Sequence, residues 1–515
     1  MTVDERTRQE DLTGAEPEQG SLNFRKLFSD VAIYSSGNLI IKGLSIISAP
    51  IYTRIFDQAQ YGAWGYINVM VTFMTGLLLL GGDNAYTRYF FRCQSEEERQ
   101  TLTATWLSFL ALWSVVVMAA ILPFSATLAD WMLGEEGYRA AGVIGLASSP
   151  LAMFNLSLAQ ALRNRFRARA FTLFNLATAV LTIALGVFFV LYFKLGVAGA
   201  LLGGAVASLV MIPPRLWAVR DLLSFSFSRR FLKELLIFGL PLVPMNIAFW
   251  LFSNADRLML ARMASLDAVG LYTIAGSLTA VIMLLQNAVG QSWLPHGIKL
   301  YEEDEREAAV VFRRIMIYFL AGSGLIITGF VALAQEVLFI LVPPSYYPAF
   351  AIIPFLAAGF IFFTSAHVSV VAVMVKNKTT YIMYACWAIA ILNIALNALL
   401  IPLFGISGAA AATGFSYLLF ALSYALISRH LWPIAYPLKL IAALLAVPLA
   451  AVTVIALIAW FGPGVAVNLV LKLVVLTLTA LLLAVLVGRA ERINLKELFG
   501  LARRMIRIKK KTRVV

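Results

Sequence analysis

Fourteen stretches of this 515-residue chain are apolar over a length that can cross a bilayer, and that number restricts the fold more than any other feature. They lie at 31–52, 62–80, 102–123, 141–161, 171–193, 196–212, 239–260, 270–289, 315–334, 350–373, 381–403, 408–427, 440–460 and 467–487. A helix needs about 20 apolar residues, rising 1.5 Å each, to cross roughly 30 Å of hydrocarbon. Inside a bilayer the backbone must satisfy its own polar groups, so only helices or a closed barrel can span it. Unbroken apolar runs of this length, without period-two alternation, select helices. The expected fold is an all-α polytopic membrane protein with about 14 transmembrane helices. Composition agrees: 61% of residues are hydrophobic and 13% charged, where a globular chain has about 45–50% and about 25%.

The basic residues test that count. With a cytoplasmic N-terminus, 34 of the 41 lysines and arginines fall in inner loops and tails, four in outer loops, and three (Lys42, Arg257, Lys472) inside spans. This is the positive-inside pattern, and it places both termini in the cytoplasm. The net charge of +14 is thus dispersed rather than gathered on one face, which excludes nucleic acid as the expected partner. Residues 1–27 read as an acidic disordered cytoplasmic tail, not a signal peptide, and 489–515 as a basic amphipathic tail on the anionic inner leaflet. Cys93 falls on the cytoplasmic side and Cys386 within a span, so no disulfide is expected.

The two halves repeat. Asn38, Arg54 and Gly62 recur 208 residues later as Asn246, Arg262 and Gly270. Gly196-Val-Ala-Gly199-Ala recurs as Gly405-Ile-Ser-Gly408-Ala at an offset of 209, and Arg163-Asn-Arg is echoed by Lys376-Asn-Lys. Each copy holds six spans, an even number, so the repeats are parallel and related by an axis along the membrane normal. The expected organisation is an N-lobe at 28–218, a linker and C-lobe at 219–436, and two extra spans at 437–488. Two six-helix lobes facing a central cleft form a transporter architecture.

Polar residues within the spans mark where a substrate could pass. Lys42 lies midway along the first span, where a lysine costs about 2.5–3.5 kcal/mol on insertion scales. It either faces a hydrated cavity that receives an anion or pairs internally to hold helices together; Asn38 extends its polar face. The seventh span carries Asn246, Asn254, Asp256 and Arg257, the last two as cleft residues or as an interfacial cap. Pro241 and Pro244 should bend its start. Gln286 and Asn287 end the eighth span. His367 in the tenth is a proton carrier or a hydrogen-bonded structural residue, and Asp256 is the other group suited to proton or ion coupling. Lys472 is expected to snorkel to the outer interface. Carboxylates are scarce in the spans, so a basic, acid-poor cleft points to an anionic substrate.

Several segments resemble a known family. Asn38-Leu-Ile-Ile-Lys42, Ala49-Pro-Ile-Tyr-Thr-Arg54 and Gln60-Tyr-Gly62 look like the opening of bacterial polysaccharide flippases. So do Phe238-Gly-Leu-Pro241-Leu-Val-Pro244, Asn254-Ala-Asp256-Arg257 and Val269-Gly-Leu-Tyr272. These belong to the polysaccharide-transporter branch of the multidrug/oligosaccharidyl-lipid/polysaccharide exporter superfamily. The resemblance implies alternating access between two six-helix lobes in a bacterial inner membrane. It implies a cargo of oligosaccharide on undecaprenyl pyrophosphate, moved to the outer leaflet for O-antigen, capsule or exopolysaccharide synthesis. Basic cavity residues hold the pyrophosphate in this branch, and Lys42 best matches that position. In the related lipid II flippase branch, several arginines line the first cavity and the last two spans form a groove for the lipid tail. Here only Lys42 is deep.

Other classes compete. A lipid II flippase or a drug or metabolite antiporter would share the fold. A membrane glycan polymerase or ligase needs a large outer loop, and the longest outer connection, about 125–139, is too short for a domain. The acidic run Glu302-Glu303-Asp304-Glu305 reads as a solvated helix start rather than a metal-binding pair. The expectation is a transporter, not an enzyme, with no cofactor and no metal site. Its partners would be lipid-linked oligosaccharide, membrane lipid and glycan-assembly proteins, and a monomer would suffice.

Overall fold

The computed structural model describes residues 47–133, 136–376, 378–462 and 465–491, with Gly37, Ile40, Ile41, Gly43 and Leu44 ahead of them. Asn38, Lys42 and both tails lie outside the described residues, as does the side chain of Asn287.

Residues 47–55 are helical and end the first span. Helix α1 (Gln58–Leu79) then starts at Asp57, where the Asp57 carboxylate accepts from the Gln60 N–H and the Gln60 side chain accepts from the Asp57 N–H. This reciprocal capping satisfies two otherwise orphaned donors. The first half continues through α2 (Gly82–Phe90), α3 (Glu96–Ile121), α4 (Ser125–Leu133), α5 (Arg139–Asn164), α6 (Ala168–Leu191) and α7 (Gly196–Ala218). The second half comprises α8 (Arg229–Gly239), α9 (Val243–Met263), α10 (Leu266–Glu303), α11 (Glu305–Leu341), α12 (Ile353–Val375) and α13 (Thr379–Leu431). Two more helices follow, α14 (Leu438–Phe461) and α15 (Val465–Glu491).

Among the described residues, twelve helical stretches are long and apolar enough to cross a membrane. One of them, α13, is 53 residues long and breaks at Gly405 (φ 56°, ψ −131°), just after Pro402, into the two spans read from the sequence. The first span lies largely outside the described residues, and with it the all-helical fold matches the expectation of about 14 spans. The expected bend at Pro241 is a 3-10 turn, Leu240–Leu242, joining α8 to α9. Asp304 caps α11, accepting from the Arg306 and Glu307 N–H groups, so the acidic run does start a helix. Those two donors hold its carboxyl below the usual range.

The repeat is visible in the backbone. Gly196 and Gly405, equivalent at the 209-residue offset, both turn left-handed (φ 53° and 56°) between the fifth and sixth spans of their halves. At the 208-residue offset α11 corresponds to α3 plus α4, and α10 to α1 plus α2. The copies differ in continuity: Leu80 and Gly81 turn left-handed (φ 49° and 68°) and a 3-10 turn, Leu122–Phe124, separates α3 from α4, whereas α10 and α11 run on unbroken.

The halves meet where α1 crosses α10. A Cβ on Gly62 would lie 1.9 Å from the Leu266 carbonyl oxygen, and one on Gly270 would lie 2.2 Å from that of Gln58. Gln58 and Leu266 are themselves repeat mates, so the pseudo-twofold axis passes between the two glycines. Close to this crossing the Tyr346 hydroxyl bonds the Phe56 and Asp57 carbonyls at 2.9 and 2.8 Å. Arg54 donates to the Leu341 carbonyl at 2.9 Å, and Gln58 to that of Ser345. Tyr61, Tyr66, Tyr272, Leu338 and Ile353 bury one shared apolar core across the junction. At the opposite, basic end, Asp221 pairs with Arg165 at 3.2 Å and Arg167 at 3.0 Å.

Two basic residues depart from expectation. Lys472 does not snorkel. It is 0% exposed, and its ammonium lies 2.6 Å from Gln335 Oε1 and 2.8 Å from Glu336 Oε1, tying α15 to α11. Arg215, read as an inner-loop charge, is 2% exposed. Its guanidinium donates to the Asn155 carbonyl and to Asn175 and Thr178, joining α5, α6 and α7.

Candidate functional site

Helix α1 carries Asn68, Thr72 and Gly76 at four-residue spacing, and all three are exposed. Spacing by four puts them on one face, and that face lines space between the halves. Across from it stand residues of α9. Thr72, Asn246, Trp250, Ser253, Asn254 and Tyr424 border a cleft of about 440 Å³. Beside it Phe73 and Trp250 meet, with ring centroids 4.4 Å apart. The sequence candidates Asn246 and Asn254 therefore share one cleft.

A second cavity, about 390 Å³, lies mainly within the first half. Tyr52, Tyr61 and Trp64 form an aromatic corner, with centroids 5.0 Å (Tyr52–Trp64) and 5.3 Å (Tyr61–Trp64) apart. Asn68 and Ser148, Thr182, Ser208 and Ser277 supply polar groups from α1, α5, α6, α7 and α10. None of its described lining residues is charged. Sequence reading passed over this cavity because serines and threonines in apolar helices carry no individual signal. The one usable sign was their recurrence on α5, α6 and α7 of the same half.

The charges sit beside these spaces. Asp256 is 5% exposed, deep between α9, α10 and α13. Its carboxylate accepts from the Arg257 N–H at 2.7 Å and from Thr413 Oγ1 at 3.3 Å, and Thr413 in turn meets the Tyr272 hydroxyl at 3.3 Å. The burial of Asp256 between three helices sets it apart from a solvated interfacial cap, and it lines neither of the two cavities. Arg257 points elsewhere, as the 100° step between helix neighbours requires. It donates to Asn254 Oδ1 at 3.2 Å and lies 5.7 Å from the Tyr272 ring centroid. Gly276 makes room for it, since a Cβ there would be 2.7 Å from Nη2. Asn254 borders the 440 Å³ cleft and Ser277, next to Gly276, borders the other cavity. Arg257 thus stands between the two spaces, half-buried and with no ion pair among the described residues.

Two candidates lie away from the cleft. Gln286 is 3% exposed and donates to the Phe360 carbonyl at 2.8 Å, packing α10 on α12. His367 rests its Nδ1 3.4 Å from the Phe363 carbonyl, and its ring fills the space a side chain at Gly290 would need.

Comparison with known proteins agrees with this fold. A family model described as polysaccharide biosynthesis protein matches residues 27–300, just over half of the chain. Among solved structures, lipid II flippase MurJ in an inward closed conformation is similar at 12% identity and a TM-score of 0.70, over 89% of this chain and 99% of that one. An inward-facing multidrug resistance MATE family transporter of the MOP superfamily is similar at 15% identity and a TM-score of 0.64, over 78% and 95%. An outward-facing MATE structure gives 16% and 0.57, over 81% and 96%. At these identities the likeness is one of fold. No curated protein matches the chain in sequence.

Proposed function

The chain belongs to the polysaccharide biosynthesis protein family, and from that premise we propose that it is a flippase for lipid-linked glycans. Its cargo would be an oligosaccharide repeat unit on undecaprenyl pyrophosphate, carried from the inner to the outer leaflet of a bacterial cytoplasmic membrane. The product would feed assembly of a surface polysaccharide. Taking the basic end as cytoplasmic, the end held by Arg54, Gln58 and Tyr346 faces outward and is shut.

The observation that carries this reading is Arg257. A guanidinium within a span, half-buried and without a counter-ion among the described residues, is costly unless a mobile anion completes it. A pyrophosphate accepts forked N–H donors well. The neutral polar walls on either side would let a hydrated head group pass while its prenyl tail stays in lipid. No bond is made or broken, so no catalytic group is required. Asp256, a buried intramembrane carboxylate, is the group proposed for ion coupling.

A deletion strain tests this. It should accumulate lipid-linked repeat units on the inner leaflet and lose surface glycan. Wild-type protein should restore both, whereas Arg257→Ala and Lys42→Ala at matched expression should not, with Lys42→Arg retaining part of the function. Unchanged lipid-linked sugars with altered drug resistance would replace the flippase by an antiporter of the same fold.

A further inference from the structure

The two halves are joined by a non-helical ribbon, residues 223–228, between a 3-10 turn (Arg220–Leu222) and α8. Its backbone is extended at Leu223 and at Ser228, and exposure alternates along it as an extended chain requires. The serines face inward and are fastened to α3. Ser226 donates to Thr101 Oγ1 at 3.0 Å, and the Ser228 N–H donates to Thr105 Oγ1 at 2.9 Å. The Ser224 and Ser226 hydroxyls lie 2.5 Å apart. Leu223, Phe225 and Phe227 face outward, Phe225 fully exposed and Phe227 54% exposed.

The helix beneath the ribbon fixes its depth. Thr101 and Thr105 lie on the face of α3 that continues, at spacings of three and four, through Ser108, Leu112 and Val115. Leu112 and Val115 are 68% and 65% exposed on a helix long and apolar enough to cross a membrane, so this face looks into lipid. The apolar run of that span begins at residue 102, between the two threonines. The ribbon therefore covers the lipid side of α3 where head groups give way to hydrocarbon.

Cations bracket the outward rings. Arg220 lies 4.4 Å from the ring centroid of the exposed Trp217, and Arg229, Arg230 and Lys233 follow on the exposed side of α8. Arg230 pairs with Glu234 at 3.0 Å, and Asp221 is taken by Arg165 and Arg167. Arg220, Arg229 and Lys233 form no ion pair among the described residues. Apolar rings set between free basic side chains match a membrane surface that carries negative charge. A soluble protein would have to reach the same rings at the depth of the first apolar turns of α3.

We propose that this ribbon binds acidic phospholipid of the inner leaflet. Phe225 and Phe227 insert beneath the head groups, and Arg220, Arg229 and Lys233 meet their phosphates. The joint between the halves is thereby held at the bilayer surface, whatever the cargo.

The test uses the full chain in nanodiscs, with Phe225→Cys or Phe227→Cys carrying a nitroxide; the native Cys93 and Cys386 are buried. Glu303→Cys, at the exposed end of α10, gives the aqueous reference. Collision with oxygen, which concentrates in lipid, and with a water-soluble nickel chelate reads the depth of each label. The discs hold phosphatidylcholine alone or with phosphatidylglycerol added. Both ribbon labels should favour oxygen. Phosphatidylglycerol should lower their exposure to the chelate about fivefold, the factor one basic residue supplies near an anionic surface. Arg220→Gln, Arg229→Gln and Lys233→Gln combined should abolish that dependence on lipid, and raised salt should weaken it. Chelate exposure equal to that of the Glu303 site in both lipids would put the ribbon in water, as a surface for a soluble protein, and overturn the proposal. Insertion to the same extent in both lipids would overturn the preference for acidic head groups.

Discussion

At the scale of single residues, burial rather than depth decides what a charge does. Lys472 stands near the end of its helix, with a stem long enough to reach an interface. It turns inward because α11 presents Gln335 and Glu336 directly against it. A buried pair of this kind adds little over an apolar substitute, but removing one member leaves the other charge stranded. Glu336 Oε2 already lacks a hydrogen-bond partner, so loss of the lysine would leave the carboxylate largely unsupported. Lys472→Ala should therefore lower stability by about 3–5 kcal/mol, and Lys472→Met with Glu336→Gln should recover most of it. Thermal unfolding in detergent measures both; equal losses in the single and double variants would remove the pair from the account. Sequence placed Lys472 in a span but held no sign of its partner, which lies 136 positions away on a helix brought alongside only by folding. Arg215 was misread for the same reason: its three acceptors come from α5 and α6. Asp256 and Arg257 were legible because polar neighbours in an apolar run stand out without any partner being known.

At the scale of elements, the crossing of α1 and α10 depends on two absent side chains. Gly62 and Gly270 each place a would-be Cβ against the backbone of the other helix, at 1.9 and 2.2 Å. Backbone cannot swing aside as a flexible side chain can, so the helices must part. Gly62→Ala should cost about 1–3 kcal/mol, the usual range for overpacking. It should also raise the labelling rate of a cysteine at Thr273, whose side chain packs on Gly65 one turn away. Gly76 is the control, because a Cβ there meets nothing within 4 Å. Equal labelling in the Gly62 and Gly76 variants would mean that the crossing is not close-packed. The 208-residue offset already marked Gly62 and Gly270 as equivalent. What it did not reveal was that equivalence puts them in contact, since that requires knowing where the axis lies. The offset was equally silent on Leu80 and Gly81, where one copy breaks and the other continues. Repeat identity fixes which elements correspond, while their angles are set by packing.

At the scale of the whole molecule, the two halves are held at one end, among the described residues, by backbone acceptors rather than by ion pairs. Arg54, Gln58 and Tyr346 reach carbonyls at Leu341, Ser345, Phe56 and Asp57. Neutral contacts of this sort contribute about 0.5–1.5 kcal/mol each, and those from a charged donor about 1.5–3. Their sum lies within reach of the differential binding that shifts a two-state equilibrium. A latch of this strength can close without becoming permanent, which alternating access requires. Making it permanent should therefore stop transport. A cysteine pair at Gln58 and Ser345 should abolish lipid-linked glycan flipping when oxidised and restore it on reduction, with either single variant active under both conditions. The readout is surface-exposed glycolipid in proteoliposomes before and after reductant. Full transport by the oxidised double variant, with the cross-link verified, would show that the halves need not separate at this end.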